Sequence, residues 1–177
     1  MNLIQNLLKL IVISLVLLGC RQPNSYEEMK PYDGPLIEVD DIVTIYSDSS
    51  IMRLKLKAKK QLEMQNGDRE FPKGVYVEFY DEKGIMSSTL TGNKGKFNKE
   101  KNLYTVTGNV VVKNVGENKK LNTEELFWEP DKQKVYTDKF VRIETPDEIL
   151  TGNGLTAKQD FSSYKIKDPI GEFRVKQ

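Results

Sequence analysis

Between Leu90 and Arg174, apolar and polar residues alternate in a pattern that occurs three times, starting at Leu90, Leu121 and Leu150, with spacings of 31 and 29 residues. Each unit opens on Leu and two small or polar residues: Leu90-Thr91-Gly92, Leu121-Asn122-Thr123 and Leu150-Thr151-Gly152. Phe97, Trp128 and Ala157 follow at equivalent places, then a turn rich in Lys, Asp and Asn, then a second alternating run. That run carries Tyr104, Val106, Val110 and Val112 in the first unit, Val135, Thr137, Val141 and Ile143 in the second, and Tyr164, Ile166 and Ile170 in the third. Alternation at period two is the mark of a half-buried strand, and a fixed period of this size predicts a stacked repeat of two strands and a turn.

The chain ahead of the repeats reads the same way, less regularly. A short strand is expected from Ile42 to Tyr46, closed by the turn cluster Ser47-Asp48-Ser49-Ser50. Met52, Leu54, Leu56, Ala58, Leu62 and Met64 then share one face, with Arg53, Lys55, Lys57, Lys59, Gln61 and Glu63 on the other. One dry and one charged face predict an antiparallel strand with a solvated side. Lys60 interrupts the dry face, which predicts a bulge or bend there. The basic row Arg53 to Lys59 could grip phosphates, or could simply be a solvated face that discourages edge pairing. After the turn Asn66-Gly67-Asp68 and the segment Phe71-Pro72-Lys73-Gly74, the residues Val75, Val77 and Phe79 alternate with Tyr76, Glu78 and Tyr80. The turn Asp81-Glu82-Lys83-Gly84 and the run Met86, Ser88, Leu90 lead into the first repeat, so residues 54–80 read as a looser fourth copy. No segment has a sustained helical period. Many short strands with regular turns predict an all-β domain: an antiparallel β-jelly roll, or an open two-sheet sandwich built of repeated hairpins.

Gly92 and Gly152 hold the same place in the first and third units, where the second has Thr123. A glycine so placed predicts a positive φ, a bulge or a close backbone approach.

The first residues carry a different pattern. Leu10 to Leu18 is apolar apart from Ser14, about half the length that spans a bilayer, and fits the core of a signal peptide. The ending Leu17-Leu18-Gly19-Cys20 resembles a bacterial lipobox, although Leu18 is bulkier than usual at its position. Cys20 is the only cysteine, so it has no disulfide partner, and the resemblance makes it the lipid-attachment residue. The expected organisation is therefore a lipoprotein signal peptide over 1–19, a lipidated N-terminus and flexible tether over 20–35, and the β domain over 36–177. The tether carries Pro23, Pro31 and Pro35 without periodicity. Cleavage before Cys20 would leave 158 of the 177 residues, enough for one domain with its own core.

Loss of Lys9 with the signal would leave 26 basic against 26 acidic side chains, a balance that argues against nucleic acid as the main partner. There is no histidine, and the single cysteine is assigned to lipid, so the usual base, thiol nucleophile and metal ligands are missing. Asp40-Asp41 and Glu124-Glu125 are adjacent, and neighbours on a strand point to opposite faces, so neither pair forms a catalytic dyad. The run Gly92-Asn93-Lys94-Gly95-Lys96 lacks the spacing and the Ser/Thr of a phosphate-binding loop. No enzyme activity, metal or cofactor is expected, and energy for any transport must come from another subunit.

Three stretches carry a family resemblance: Leu121 to Trp128, Val135-Tyr136-Thr137-Asp138, and Glu148 to Leu155. Over about residues 36–175 they resemble the β-jelly-roll domain of the lipopolysaccharide-export proteins, most closely the LptC family. Members commonly keep an uncleaved membrane helix where this chain has a lipobox. The resemblance implies a periplasm-facing protein of the inner membrane. Such a protein accepts lipopolysaccharide from an ABC permease and ATPase complex and passes it to an LptA-like bridge protein. The splayed sheets would offer acyl chains an apolar slot, for which the candidates are Leu54, Leu56, Val77, Phe79, Leu90, Phe97, Val106, Val110, Trp128, Val141, Ile143 and Ile166. The same residues would equally form the core of an ordinary sandwich. Like domains join edge to edge by β-augmentation. The last strand, with Tyr164, Ile166, Ile170, Phe173 and Val175, is the expected partner edge, and Pro169 within it fits an edge strand. A structural or carbohydrate-binding envelope lipoprotein is the alternative, for which Tyr76 and Tyr80 on one outer face are the only pointer.

Overall fold

In a computed structural model of the protein, the described residues are 32–170 together with the isolated Gln5. The chain divides into two units, Met1–Tyr32 and Asp33–Gln177, and the fold below is that of the second. Cys20, Phe173 and Val175, and the expected signal and most of the tether, lie outside the described residues.

The described chain is antiparallel β throughout, apart from one 3-10 turn at Pro130–Lys132. Its strands are β1 (Ile37–Asp48), β2 (Ile51–Glu63), β3 (Arg69–Phe71), β4 (Val75–Tyr80), β5 (Met86–Gly92) and β6 (Lys94–Asn98). They continue as β7 (Leu103–Asn114), β8 (Lys119–Glu129), β9 (Lys134–Glu144), β10 (Ile149–Lys158) and β11 (Tyr164–Ile170). All belong to one 11-stranded sheet. The three sequence repeats are the hairpins β5/β6–β7, β8–β9 and β10–β11.

One sheet becomes two layers because the long strands bend in register with one another. Residues Leu54–Ala58 of β2 pair with β4, whereas Leu62 and Glu63 pair with β3, so the strand changes partner around the predicted bend at Lys60. The facing strands are interrupted at Pro72–Gly74, where Gly74 has φ +91°, and at Asn93, whose N–H donates to Gly108 O at 2.9 Å. The crease continues as register shifts between Thr107 and Val110, between Thr123 and Phe127, and between Asn153 and Leu155. Each bulge adds an unpaired residue and turns the strand. β4, β5 and one half of each long strand form the first layer, and β3, β6 and the other halves form the second.

The glycines of the repeat explain how closely the two layers approach at the crease. Neither Gly92 nor Gly152 has a positive φ. A Cβ on Gly92 would instead collide with Val106 Cγ1, and one on Gly152 with Ile166 Cγ2, the residue equivalent to Val106 in the third repeat. The close approach is the reason for glycine here. In the second repeat Thr123 is accommodated differently, its buried hydroxyl donating to Phe140 O at 2.9 Å.

The interior follows from the register. In the first layer Leu56, Val77, Leu90, Val112, Leu121, Ile143 and Leu150 form one ladder across the sheet. In the second layer Arg69, Phe97, Tyr104, Trp128, Val135, Ala157 and Tyr164 form another. The ladders face each other: Phe79 and Trp128 lie in strands that do not pair, yet their rings meet edge to face with centroids 5.1 Å apart.

Two expectations change in detail. The first strand is far longer than Ile42–Tyr46 and runs over Ile37–Asp48. Glu38, Asp40 and Asp41 break its alternation in sequence, but Lys60 bonds to Glu38 and Lys59 to Asp41, so charge pairing across β1–β2 replaces an apolar face. Phe71, to which the alternation assigns no strand, is the buried end of β3, 1% exposed.

Candidate functional site

The candidate site is the cleft between the two layers. Leu56, Val77, Phe79, Leu90, Val106, Val110, Trp128, Val141 and Ile143 all point into it and are buried together. Leu54 and Ile166 are half-buried and pack against that cluster. Phe97 is also half-buried, and its ring lies 4.5 Å from Tyr104, which in turn stacks on Trp128 at 4.7 Å. The inward set read from the alternation is therefore brought together, and sequence reasoning missed Phe71, Leu126, Leu155 and Phe161, which complete it.

The two halves of the cleft differ. Toward β2, β3 and β6 its floor is aromatic and partly open: Leu54, Phe97 and Tyr104 are half-buried. Arg69 closes this aromatic row, its guanidinium 4.3 Å from the Phe97 ring centre and its Nη2 donating to Tyr104 Oη at 3.1 Å. Burial pushes the Tyr104 phenol above its ordinary range, and Arg69 opposes that shift. Toward β10 and β11 the cleft is shut by the connection between those strands, residues 159–163, whose Phe161 is fully buried. Trp128 Nε1 donates to Gln159 Oε1 at 2.9 Å, and Ser88 Oγ to Gln159 O at 2.8 Å.

At the crease, a groove of about 770 Å³ runs along Ile42, Ala58, Val75 and Gly92, with Lys57, Lys59 and Lys73 at its rim. The basic row on β2 is engaged rather than free. Arg53 pairs with Asp48, Lys55 and Lys57 with Glu78, and Lys59 with Asp41. Glu78 also accepts the Tyr80 hydroxyl at 2.7 Å. Tyr80 and the half-buried Tyr76 thus belong to a polar cluster around Glu78 on the outer face. Glu124 and Glu125 form no converging pair either; Glu125 faces Lys139 at 3.9 Å.

The sheet has two free edges among the described residues. β11 pairs only with β10 and presents Tyr164, Ile166 and Ile170, with Pro169 opposite Gly152. It is the expected edge, and it carries Lys165, Lys167 and Asp168 as well. The second edge, β1, was not legible in the sequence. It pairs only with β2 and leaves Ile37, Val39, Val43, Ile45 and Tyr46 exposed. An unpaired edge of this length without proline or lysine, carrying these exposed apolar residues between Glu38, Asp40 and Asp41, is a ready template for another strand.

An antiparallel sheet folded over an apolar interior and open at both edges defines the class of β-jelly rolls. Within that class, the chain belongs to the family described as lipopolysaccharide-assembly, LptC-related, whose model it matches over residues 7–168. No curated protein matches the chain. Family membership gives it a role in lipopolysaccharide transport, as an envelope-associated periplasmic component of the export machinery. Among the described residues no helix is long and apolar enough to cross a membrane.

Proposed function

We propose that the chain is a membrane-anchored relay that accepts lipopolysaccharide from an inner-membrane ABC transporter and passes it to the next bridge protein. The observation that carries this reading is the pair of inward ladders, one running from Leu56 on β2 to Leu150 on β10 and the other from Arg69 on β3 to Tyr164 on β11. Such a track buries acyl chains along its length while the sugars and phosphates of the glycolipid stay in water. The slot residues are those of the two inward faces, from Leu54 to Ile166.

The edges supply continuity. β11 pairs with an LptA-like partner by β-augmentation, and β1 takes the upstream domain, so that three clefts align end to end. Cys20 carries the lipid that keeps the domain at the inner membrane; two or more acyl chains hold a protein there stably. The protein catalyses nothing and spends no nucleotide, and its part is to bind and orient.

Site-specific photocrosslinking in cells tests the reading. A photoreactive residue replaces Phe79, Val106 or Ile143, with Lys57 and Tyr80 as outward controls. Lipopolysaccharide adducts at the inward positions alone are expected. A folded variant protein at normal level with clean inward positions would reduce the cleft to an ordinary packed core.

A further inference from the structure

We propose that residues 159–163 are a gate over the half of the cleft next to β11, and that they must swing outward before an acyl chain can occupy that half. The inference rests on the reading of the cleft as a lipid slot.

The segment is fastened to both layers. On the second-layer side, Gln159 N–H donates to Gln133 O at 2.9 Å and its side chain caps Trp128 Nε1 at 2.9 Å. On the first-layer side, Ser88 Oγ donates to Gln159 O at 2.8 Å and Asn114 Nδ2 to Asp160 O at 2.9 Å. Ser88 and Asn114 sit opposite each other in the inward row that includes Leu54 and Phe79, and both are buried. Polar side chains in an apolar row need partners when covered. Here the partners are the carbonyls of the crossing segment.

These attachments are suited to release. Once the segment leaves, the Ser88 hydroxyl and Asn114 amide face the mouth, where water or the polar groups of a glycolipid can take over their hydrogen bonds. The apolar hold is one side chain, Phe161, stacked 5.2 Å from Tyr164. Its backbone lies at φ +56°, a left-handed conformation that disfavours a non-glycine residue. Below it, Lys158 N–H donates to Ser163 O at 3.1 Å, which closes the base of the loop so that its tip can move without unpairing β10 from β11. Gln159, Asp160, Ser162 and Ser163 make the rest of the tip polar and content in water. Among the described residues the open half of the cleft, with Arg69, Phe97 and Tyr104, has no such cover, so an acyl chain reaches that half first.

Hydrogen exchange on the full chain, with and without purified lipopolysaccharide, reads the movement directly. The Gln159 amide, which donates to Gln133 O across the gate, is expected to exchange at least ten-fold faster when lipopolysaccharide is bound, while those of β8 and β9 slow. The paired experiment places a photocrosslinker at Phe97, in the open half, or at Val135, beneath the segment. Phe161→Gly and Gln159→Ala should each raise the Val135 adduct several-fold relative to Phe97. Exchange at Gln159 that is unchanged or slowed, with adducts still formed at Phe97, would overturn the gate and leave the slot standing. Absence of adducts at every inward position, with no change in exchange, would remove the slot and the gate with it.

Discussion

Phe79 and Trp128 meet edge to face across the cleft, ring centroids 5.1 Å apart at 83°, although β4 and β8 share no hydrogen bond. The contact ties one layer to the other far from the crease, where no backbone pairing can do so. Truncation of Phe79 to Ala therefore removes a buried ring and its edge-to-face contact with Trp128 together. We expect a loss of about 3–5 kcal/mol and a fall in melting temperature of roughly 10 °C. Because Trp128 is the only tryptophan, its fluorescence should shift to the red in the same variant, and a thermal melt followed at that wavelength checks both. An unshifted emission would mean that Trp128 stays dry without Phe79.

The two crease glycines make a sharper pair. Alanine at Gly92 collides with a side-chain methyl of Val106, which a smaller neighbour can relieve. Alanine at Gly152 meets Asp168 O at 2.5 Å and Pro169 Cα at 3.0 Å, both backbone, in addition to Ile166. Each single variant should lose about 1–3 kcal/mol, the usual range for overpacking. On a Val106→Ala background Gly92→Ala should cost little further, whereas on an Ile166→Ala background Gly152→Ala should cost nearly as much as in the unaltered protein. Urea unfolding of the unaltered protein, the four single and the two double variants decides it; equal relief at both sites would contradict the backbone clash.

The contrast between those glycines shows what a linear pattern can carry. Period-two alternation put Val77, Phe79, Val110 and Ile143 on the inward face, because pleating alone determines which side a strand residue takes. The repeat also marked the crease, since a strand crossing it needs a small residue at a fixed place. It could not reveal that two predicted sheets are one sheet bent over, because a bend is a relation between neighbouring strands. The first half of β1 was hidden by Glu38, Asp40 and Asp41, whose partners on β2 lie about twenty residues away. The segment over the cleft was hidden for the opposite reason: Gln159 to Ser163 has the composition of any exposed turn, and only Phe161 hints that its tip is buried. A lone aromatic in a polar turn is the signal that could have found it.

The cluster on the outer face makes stability depend on pH in both directions. The Tyr80 hydroxyl, aided by Lys57 and Lys55, holds the Glu78 carboxyl below its ordinary value against the desolvation that would raise it. A carboxyl depressed in the folded state stabilises above its unfolded value, and that contribution is lost as pH falls through the folded one. Tyr80 shifts the other way: hydrogen bonding to Glu78 pushes its phenol from 10.0 up to about 12. Its contribution is complete below the unfolded value and is lost as pH rises through the window between the two. Tyr80→Phe should therefore flatten the alkaline side of the stability profile and weaken the acid-sensitive term. Urea midpoints measured across pH for both proteins test this, and superimposable profiles would show that Glu78 and Tyr80 are not coupled.

The two free edges differ in a way that predicts separable defects. β1 exposes Val43 and Ile45 on a strand that pairs on one side only, while β11 carries Lys165, Lys167, Asp168 and Pro169 beside Ile170. Neither Ile45 nor Ile170 is buried, so a lysine at either place should change stability only within the small range expected of surface changes, about 0.5 kcal/mol. If both edges take a partner strand, Ile45→Lys should abolish crosslinks to the transporter side and spare those to the bridge protein, and Ile170→Lys should do the reverse. Lipopolysaccharide adducts at Phe97 should then fall in the first variant, because loading fails. In the second they should persist or rise, because the ligand has nowhere to go. Loss of both sets of crosslinks in either variant, with the protein folded, would mean that one edge serves both partners and that the cleft is not a through passage.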